Sequence, residues 1–235
     1  MIRGISSWLL AAILFAVSGS PALAQTVNFV PETDFNLKLN SFMRVYLQAK
    51  DDRDAGASDQ FSIGPSVQFY LRPLLKLKRI TAFDLDDSKA RPMVLEVGYR
   101  VLVAPNTSST NRMQPALTFH LPLVAGILMS DRNRADLDWK SGTFTWRYRN
   151  KLTLERAFVV NSYHFIPYVA AEPYYEEHYH KWSTTDLYAG CLFPVGKHVQ
   201  FNPYYEHENN TGKQTSEPKT YLGLALYLFF SVAKE

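Results

Sequence analysis

The chain has 235 residues, 46% of them hydrophobic and 14% aromatic, with 25 basic and 22 acidic side chains that leave a formal charge of +3. This even mixture of signs provides no basic face for nucleic acid, and the single cysteine, Cys191, excludes an intrachain disulfide as a source of stability. No apolar run beyond residue 24 is long enough for a spanning helix, which leaves β-strands as the means of crossing a membrane.

Arg3 precedes the apolar run 8–17 (WLLAAILFAV); SGSP then breaks it, and Ala22-Leu23-Ala24 stands before Gln25. That is the pattern of a secretory signal peptide with an A-x-A cleavage site. Gln rather than Cys follows the expected cut, so no lipid anchor is indicated. Residues 1–24 are assigned to the signal peptide, 25–34 to an N-terminal periplasmic segment and 35–235 to a single β-domain.

From residue 35 onward a period of two recurs, the primary signature of half-buried strands. The first segment sets Phe35, Leu37, Leu39, Met43, Val45 and Leu47 against Asn36, Lys38, Asn40, Arg44 and Gln48. The second alternates through Phe61, Ile63, Val67 and Phe69, the third through Leu95, Val97, Tyr99 and Val101, and the fourth through Leu117 and Phe119. In the fifth, GILMSDRNRADLDW, either parity turns some of Asp131, Arg132, Asn133 and Arg134 outward, which predicts a bulge or a local irregularity. The sixth, FTWRYRNKLTLERAF from Phe144, separates Trp146, Tyr148, Leu152 and Leu154 from Arg147, Arg149 and Lys151. Four more lie near 165–177, 182–193, 198–208 and 220–231, and the last has one apolar face of Leu222, Leu224, Leu226, Leu228 and Phe230.

Polar linkers such as DDRDAGASD, NTSSTN and NNTGKQTSEP roughly alternate with tight joints such as LPLVAG and PVGK. The stretch 73–92 is a long connection on the side expected to be periplasmic, and reads either as a strand extension or as a short helix. Segments of about 9 to 13 residues, at about 3.3 Å per residue and a tilt near 40°, cover the roughly 25 Å apolar band of an outer-membrane barrel. A soluble sandwich also alternates, but its strands are usually shorter, near 5 or 6 residues. The expectation is an all-β, antiparallel, up-and-down transmembrane barrel of about 10 strands (10 to 12). Arg facing lipid costs roughly 2 to 4 kcal/mol near the midplane, so Arg147, Arg149 and Lys151 point into the lumen and the aromatics outward.

Five runs, SDRNRADLDW, FTWRYRNKLTLERAF, PYVAAEPYYE, HKWSTTDLYAG and LFPVGKHVQFNPYYEHENNTG, resemble a bacterial family known only as a domain of unknown function, made of exported proteins. The resemblance runs from Phe35 to the C-terminus and is strongest from Arg112 onward. It implies an outer-membrane β-barrel in a Gram-negative-type bacterium and no activity.

Parity assigns Glu96, Arg100, Arg132, Arg134, Arg147, Arg149, Lys151, Glu155, Glu172, Tyr174, Glu176, Asp186, Tyr188, Tyr204 and Glu206 to the interior. Two readings follow: a salt-bridged plug filling a narrow barrel, or a polar pocket or conduit for a small polar solute. Lipid bilayer, lipopolysaccharide and the barrel-assembly machinery are the expected partners, with no nucleic acid, no cofactor and no metal. A third reading is a hydrolase in which His178, His180 or His207 acts beside rim carboxylates, since His with a carboxylate can serve as a general base; no Ser-containing lipase motif accompanies them. A soluble periplasmic β-barrel binding protein is the remaining alternative.

Register gives a sharper expectation. If Glu155 lies opposite Ile166, Arg149 meets Glu172; one step shorter, with Glu155 opposite His164, Arg147 takes its place. On the last strand Leu224 faces lipid and Gly223 the lumen, so Gly223→Ser is expected to be the milder change.

Overall fold

The computed structural model describes residues 27–54, 57–71, 84–211 and 218–232. The signal-peptide assignment, and the first part of the 73–92 connection, lie outside them. Twelve strands form in chain order: β1 Val27–Lys38, β2 Met43–Asp54, β3 Ala57–Leu71, β4 Met93–Val103, β5 Thr110–Pro122, β6 Ile127–Lys140, β7 Thr143–Arg156, β8 Phe158–Val160, β9 Tyr163–Glu176, β10 Lys181–Val195, β11 Val199–Asn210 and β12 Lys219–Ser231.

Eleven of these strands close into a barrel. Each pairs antiparallel with the next from β1 to β7, then β7 with β9, and so on to β12, while β8 forms only a short hairpin with the start of β9. With an odd number of alternating strands the first and last run the same way, so the closing pair is parallel: Val27 is opposite Thr220 and Lys38 opposite Ser231. Closure leaves no barrel edge with unpaired backbone groups.

Eleven lies within the expected range of 10 to 12, and exceeds the ten alternating segments because the first of them is two strands. The turn over residues 39–42 pairs Leu37 with Val45 and Phe35 with Leu47. Opposed residues therefore keep the same parity, and the odd-numbered apolar series passes through the turn unbroken. β1 also starts at Val27, taking in residues that the sequence reading had set before the barrel.

The predicted bulge in the fifth segment does not form. β6 and β7 stay in one register from Ile127↔Arg156 to Lys140↔Thr143. Arg132, Arg134 and Asp136 point inward, and the outward polar groups satisfy one another: Asn150 donates to Asp131 Oδ1 at 2.6 Å and to Asn133 Oδ1 at 3.1 Å, and the Tyr148 hydroxyl also bonds Asn133. Register shifts occur instead at Asp52/Arg53 and Trp182/Thr184.

The outer face carries exposed Leu47, Ile63, Val97, Met113, Leu152, Leu154, Val169, Leu187, Leu222 and Leu224. Aromatic groups bracket this belt. Trp139 packs on Phe144, Trp146 on Tyr175 and Trp182 on both Tyr148 and Tyr175 near one end; Phe35, His198 and Phe230 stack, as do Phe158 and Phe165, near the other. Barrel strands of 11 to 15 residues match the length needed for an apolar band about 25 Å tall with aromatic girdles. Among the described residues no helix is long and apolar enough to cross a membrane.

Inside, two tyrosines need glycine opposite them. A Cβ on Gly190 would overlap the Tyr168 ring, and one on Gly223 would overlap the Tyr204 ring. Gly223 faces the interior as expected, but it is not a tolerant position.

Candidate functional site: the charged interior

The interior holds a cavity of about 460 Å³ whose lining is overwhelmingly polar. Its side chains divide into three groups.

The first is a basic wall. β6 presents Arg132, Arg134 and Asp136, and β7 presents Lys151, Arg149 and Arg147 directly opposite them. Asp136 is 0% exposed and collects Arg147 Nε at 2.7 Å, Arg134 Nε at 3.0 Å, Arg149 at 3.6 Å and Arg112 at 3.8 Å. Gln114 donates to Asp136 Oδ1, the oxygen nearest Arg134, at 3.1 Å, and Arg112 spends its main bonds on Asp138, at 2.6 and 2.7 Å. Glu172 on β9, 1% exposed, takes Arg149 at 2.9 Å, Arg132 at 3.3 Å and Lys151 at 3.9 Å. Tyr174 accepts from Arg149, donates to Asp186 and lies with its ring 4.2 Å from the Arg149 guanidinium. The Tyr188 hydroxyl stands 3.2 to 3.3 Å from Glu172, Asp186 and Glu206. A buried charge persists only when paired, and the sequence places these partners within one or two rungs of each other.

The second group is a neutralised network on β1 to β4. Tyr46 and Gln68 donate to Glu96 at 2.5 and 2.8 Å. Gln48 donates to Glu32 at 2.7 Å. Arg100 gives its donors to Gln48 Oε1, Ser66 Oγ and the carbonyls of Pro65 and Tyr99.

The third closes one end. Residues 84–92 fold against it with a short 3-10 turn, Asp87–Ala90, capped by the Asp86 side chain. Arg44 reaches Asp86 at 2.6 Å, Lys38 reaches Asp87 at 2.6 Å, and Lys89 bridges Asp84 at 2.6 Å and Glu155 at 2.9 Å. Burial alone would raise Asp86, but Arg44 and Lys89 outweigh it and hold the carboxyl well below its usual range. Burial would lower Lys89, yet Asp84 and Glu155 prevail and push it up. Asp84 is raised, chiefly by burial.

The residues assigned to the interior by parity all lie on inward faces, but they do not form one cluster. Arg132, Arg134, Arg147, Arg149, Lys151, Glu172, Tyr174, Asp186, Tyr188 and Glu206 meet around the basic wall. Glu96 and Arg100 belong to the second network and Glu155 to the closed end. Tyr204 lies over Gly223, and Glu176 accepts from Ser183 at 2.7 Å near the opposite end. The register expectation is corrected: Glu155 sits opposite Tyr168, not Ile166 or His164, which brings Lys151 level with Glu172. Arg149 nonetheless reaches Glu172 across the diagonal.

Sequence reading missed Asp136, the most heavily contacted carboxylate, because the ambiguous parity of its strand hid which way it points. It also missed Arg112, Asp138 and the 84–89 carboxylates and lysine. Complementary charge on the neighbouring segment was the available signal, since Arg147 stands directly opposite Asp136.

The rim histidines stand apart from the charged groups described above. His178 packs edge-on to Tyr179, and His207 Nδ1 is 3.5 Å from Thr220 Oγ1. Among the described residues, no Ser, Asp or Glu side chain is hydrogen-bonded to His178, His180 or His207, and no three His, Cys, Asp or Glu residues are grouped to hold a metal. The buried histidine is His120, whose Nδ1 is 2.8 Å from Ser130 Oγ inside the barrel.

No protein-family model and no curated protein matches the chain. Among solved structures the fold is similar to a bacterial polysaccharide outer membrane secretin, with a TM-score of 0.50 and 8% identity over 78% of this chain. The match spans 63% of that structure. At this identity the likeness concerns the fold alone.

Proposed function

We propose that the protein is an outer-membrane β-barrel whose charged interior receives a small polar solute. The observation that carries this reading is the inversion of polarity: a closed sheet turns leucine, isoleucine and aromatic side chains outward and encloses ionised groups around a cavity of about 460 Å³. A soluble barrel would gain by the opposite arrangement, because apolar area is stabilised by leaving water. Similarity in fold to an outer-membrane secretin supports the location. The bilayer, its lipopolysaccharide and the assembly machinery for barrels are the partners this location entails.

One observation favours a second reading, a sealed barrel with a structural interior: residues 84–92 pack across one end through Arg44, Lys38 and Lys89. Planar-bilayer recording on the refolded protein separates the two. Discrete ion currents are the expected result for passage, and a silent bilayer containing correctly folded protein would leave the sealed barrel.

A further inference from the structure

The basic wall carries more positive charge than its own carboxylates neutralise. On three successive inward rungs of the β6–β7 pair the opposed residues are Arg132 and Lys151, Arg134 and Arg149, and Asp136 and Arg147. Two of these rungs set like charges directly across from each other, an arrangement that destabilises a sheet. Glu172 from β9 adds one carboxylate, so the five cations of β6 and β7 share Asp136 and Glu172, and Arg112, bound mainly to Asp138, also stands 3.8 Å from Asp136.

Their bonding is unequal. Arg147 and Arg149 each make close contacts with these carboxylates, at 2.7 and 2.9 Å. Arg132 has one contact at 3.3 Å. Lys151 comes no nearer than 3.9 Å to Glu172 and otherwise lies over the Tyr188 ring, 3.6 Å from its centre. Arg134 Nε stands 3.0 Å from Asp136, yet its N–H is not aimed to donate, leaving a buried nitrogen without a hydrogen bond. Asp186 and Glu206 lie close by, but the hydroxyls of Tyr174 and Tyr188 engage them. The three under-used cations all border the cavity.

We propose that Arg132, Arg134 and Lys151 form a binding site inside the barrel for a small polyanion carrying carboxylate or phosphate groups. Guanidinium and ammonium donors crowded on one wall are repelled when the site is empty and are bridged when an oxyanion lies between them. The position inside the closed sheet excludes a lipid headgroup as the source of the anion. This inference deepens the solute reading above and rests on it only for access to the interior.

The test uses the full mature barrel refolded in a neutral detergent, with ionic strength held constant by sodium chloride. The temperature at which folded mobility is lost on a gel is measured with citrate, with inorganic phosphate and with chloride alone. A ligand that binds only the folded state raises that temperature, and near saturation the expected shift is about 5 °C or more for a chain of this size. Lys151→Gln and Arg132→Gln leave the closest partners of Asp136 and Glu172 in place, so both variants are expected to fold. Each should reduce the shift at least tenfold in anion concentration, and Lys151→Arg should restore it. A response to citrate alone or phosphate alone identifies the preferred oxyanion. Absence of any shift in the unaltered protein, or an undiminished shift in both variants, overturns the site. The measurement needs no current: a barrel that conducts without the shift refutes only the site, whereas one that shifts without conducting refutes only passage.

Discussion

Arg149 reaches Glu172 diagonally, at 2.9 Å, across a register that places Lys151 rather than Arg149 level with the carboxylate. One acid thereby anchors cations from two strands, Arg132 on β6 and Arg149 and Lys151 on β7. Glu172→Gln removes that anchor while keeping the shape of the side chain. Breaking a buried pair from one side costs roughly 3 to 5 kcal/mol, so the variant should lose folded mobility at a clearly lower denaturant concentration than the parent. A loss below about 1 kcal/mol, as for exposed pairs, would mean that water screens the wall.

Asn150 tests the outer face. It is the donor to Asp131 and Asn133 within the otherwise apolar belt. Asn150→Leu takes this donor from Asp131, while Asn133 keeps the Tyr148 hydroxyl, and leaving a buried acceptor unpaired costs about 1 to 3 kcal/mol. Urea unfolding of the refolded protein in lipid vesicles should show that loss. Unchanged stability would place this patch in water rather than lipid.

Gly223 and Leu224 are both intolerant, for different reasons. Leu224→Arg puts a charge on the belt, at about 2 to 4 kcal/mol near the midplane. Gly223→Ser meets the Tyr204 ring. Adding Tyr204→Ala should rescue assembly of Gly223→Ser but not of Leu224→Arg, read as the fraction of folded barrel on an unboiled gel. Rescue of neither would refute the packing of Tyr204 over residue 223.

These two positions also mark how far the sequence could be read. Alternation identified the faces, because the outer and inner sides of a closed sheet carry opposite chemistry at every second residue; Leu224 lies outward and Gly223 inward, as that pattern alone indicates. What alternation does not encode is who stands opposite whom. The Tyr204–Gly223 overlap, the Glu155↔Tyr168 register and the odd strand count all depend on pairing between strands. The turn at 39–42 was invisible because antiparallel pairing across it preserves parity. Asp136 stayed hidden because polar groups on both faces of β6 cancel the periodic signal.

The closed end has a pH signature. Asp86 is held below the usual carboxylate range, so its contribution is complete above its unfolded value, near 4, and is lost only as pH falls through its lowered value. Lys89 is raised, so its contribution is complete below its unfolded value, near 10, and is lost as pH rises through the raised one. Residues 84–92 should therefore resist cleavage after Lys89 by trypsin throughout its working range. Asp86→Asn should expose that bond, and equal resistance in both proteins would contradict the role of Arg44 and Asp86 in holding this end.

The most direct test of the central claim is to fractionate cells producing the protein and compare its mobility on gels before and after boiling. An outer-membrane barrel is recovered with the outer-membrane fraction and shifts on boiling, because closure keeps the unboiled sheet folded in detergent. Recovery in the soluble periplasmic fraction, with the same mobility boiled and unboiled, would contradict the account.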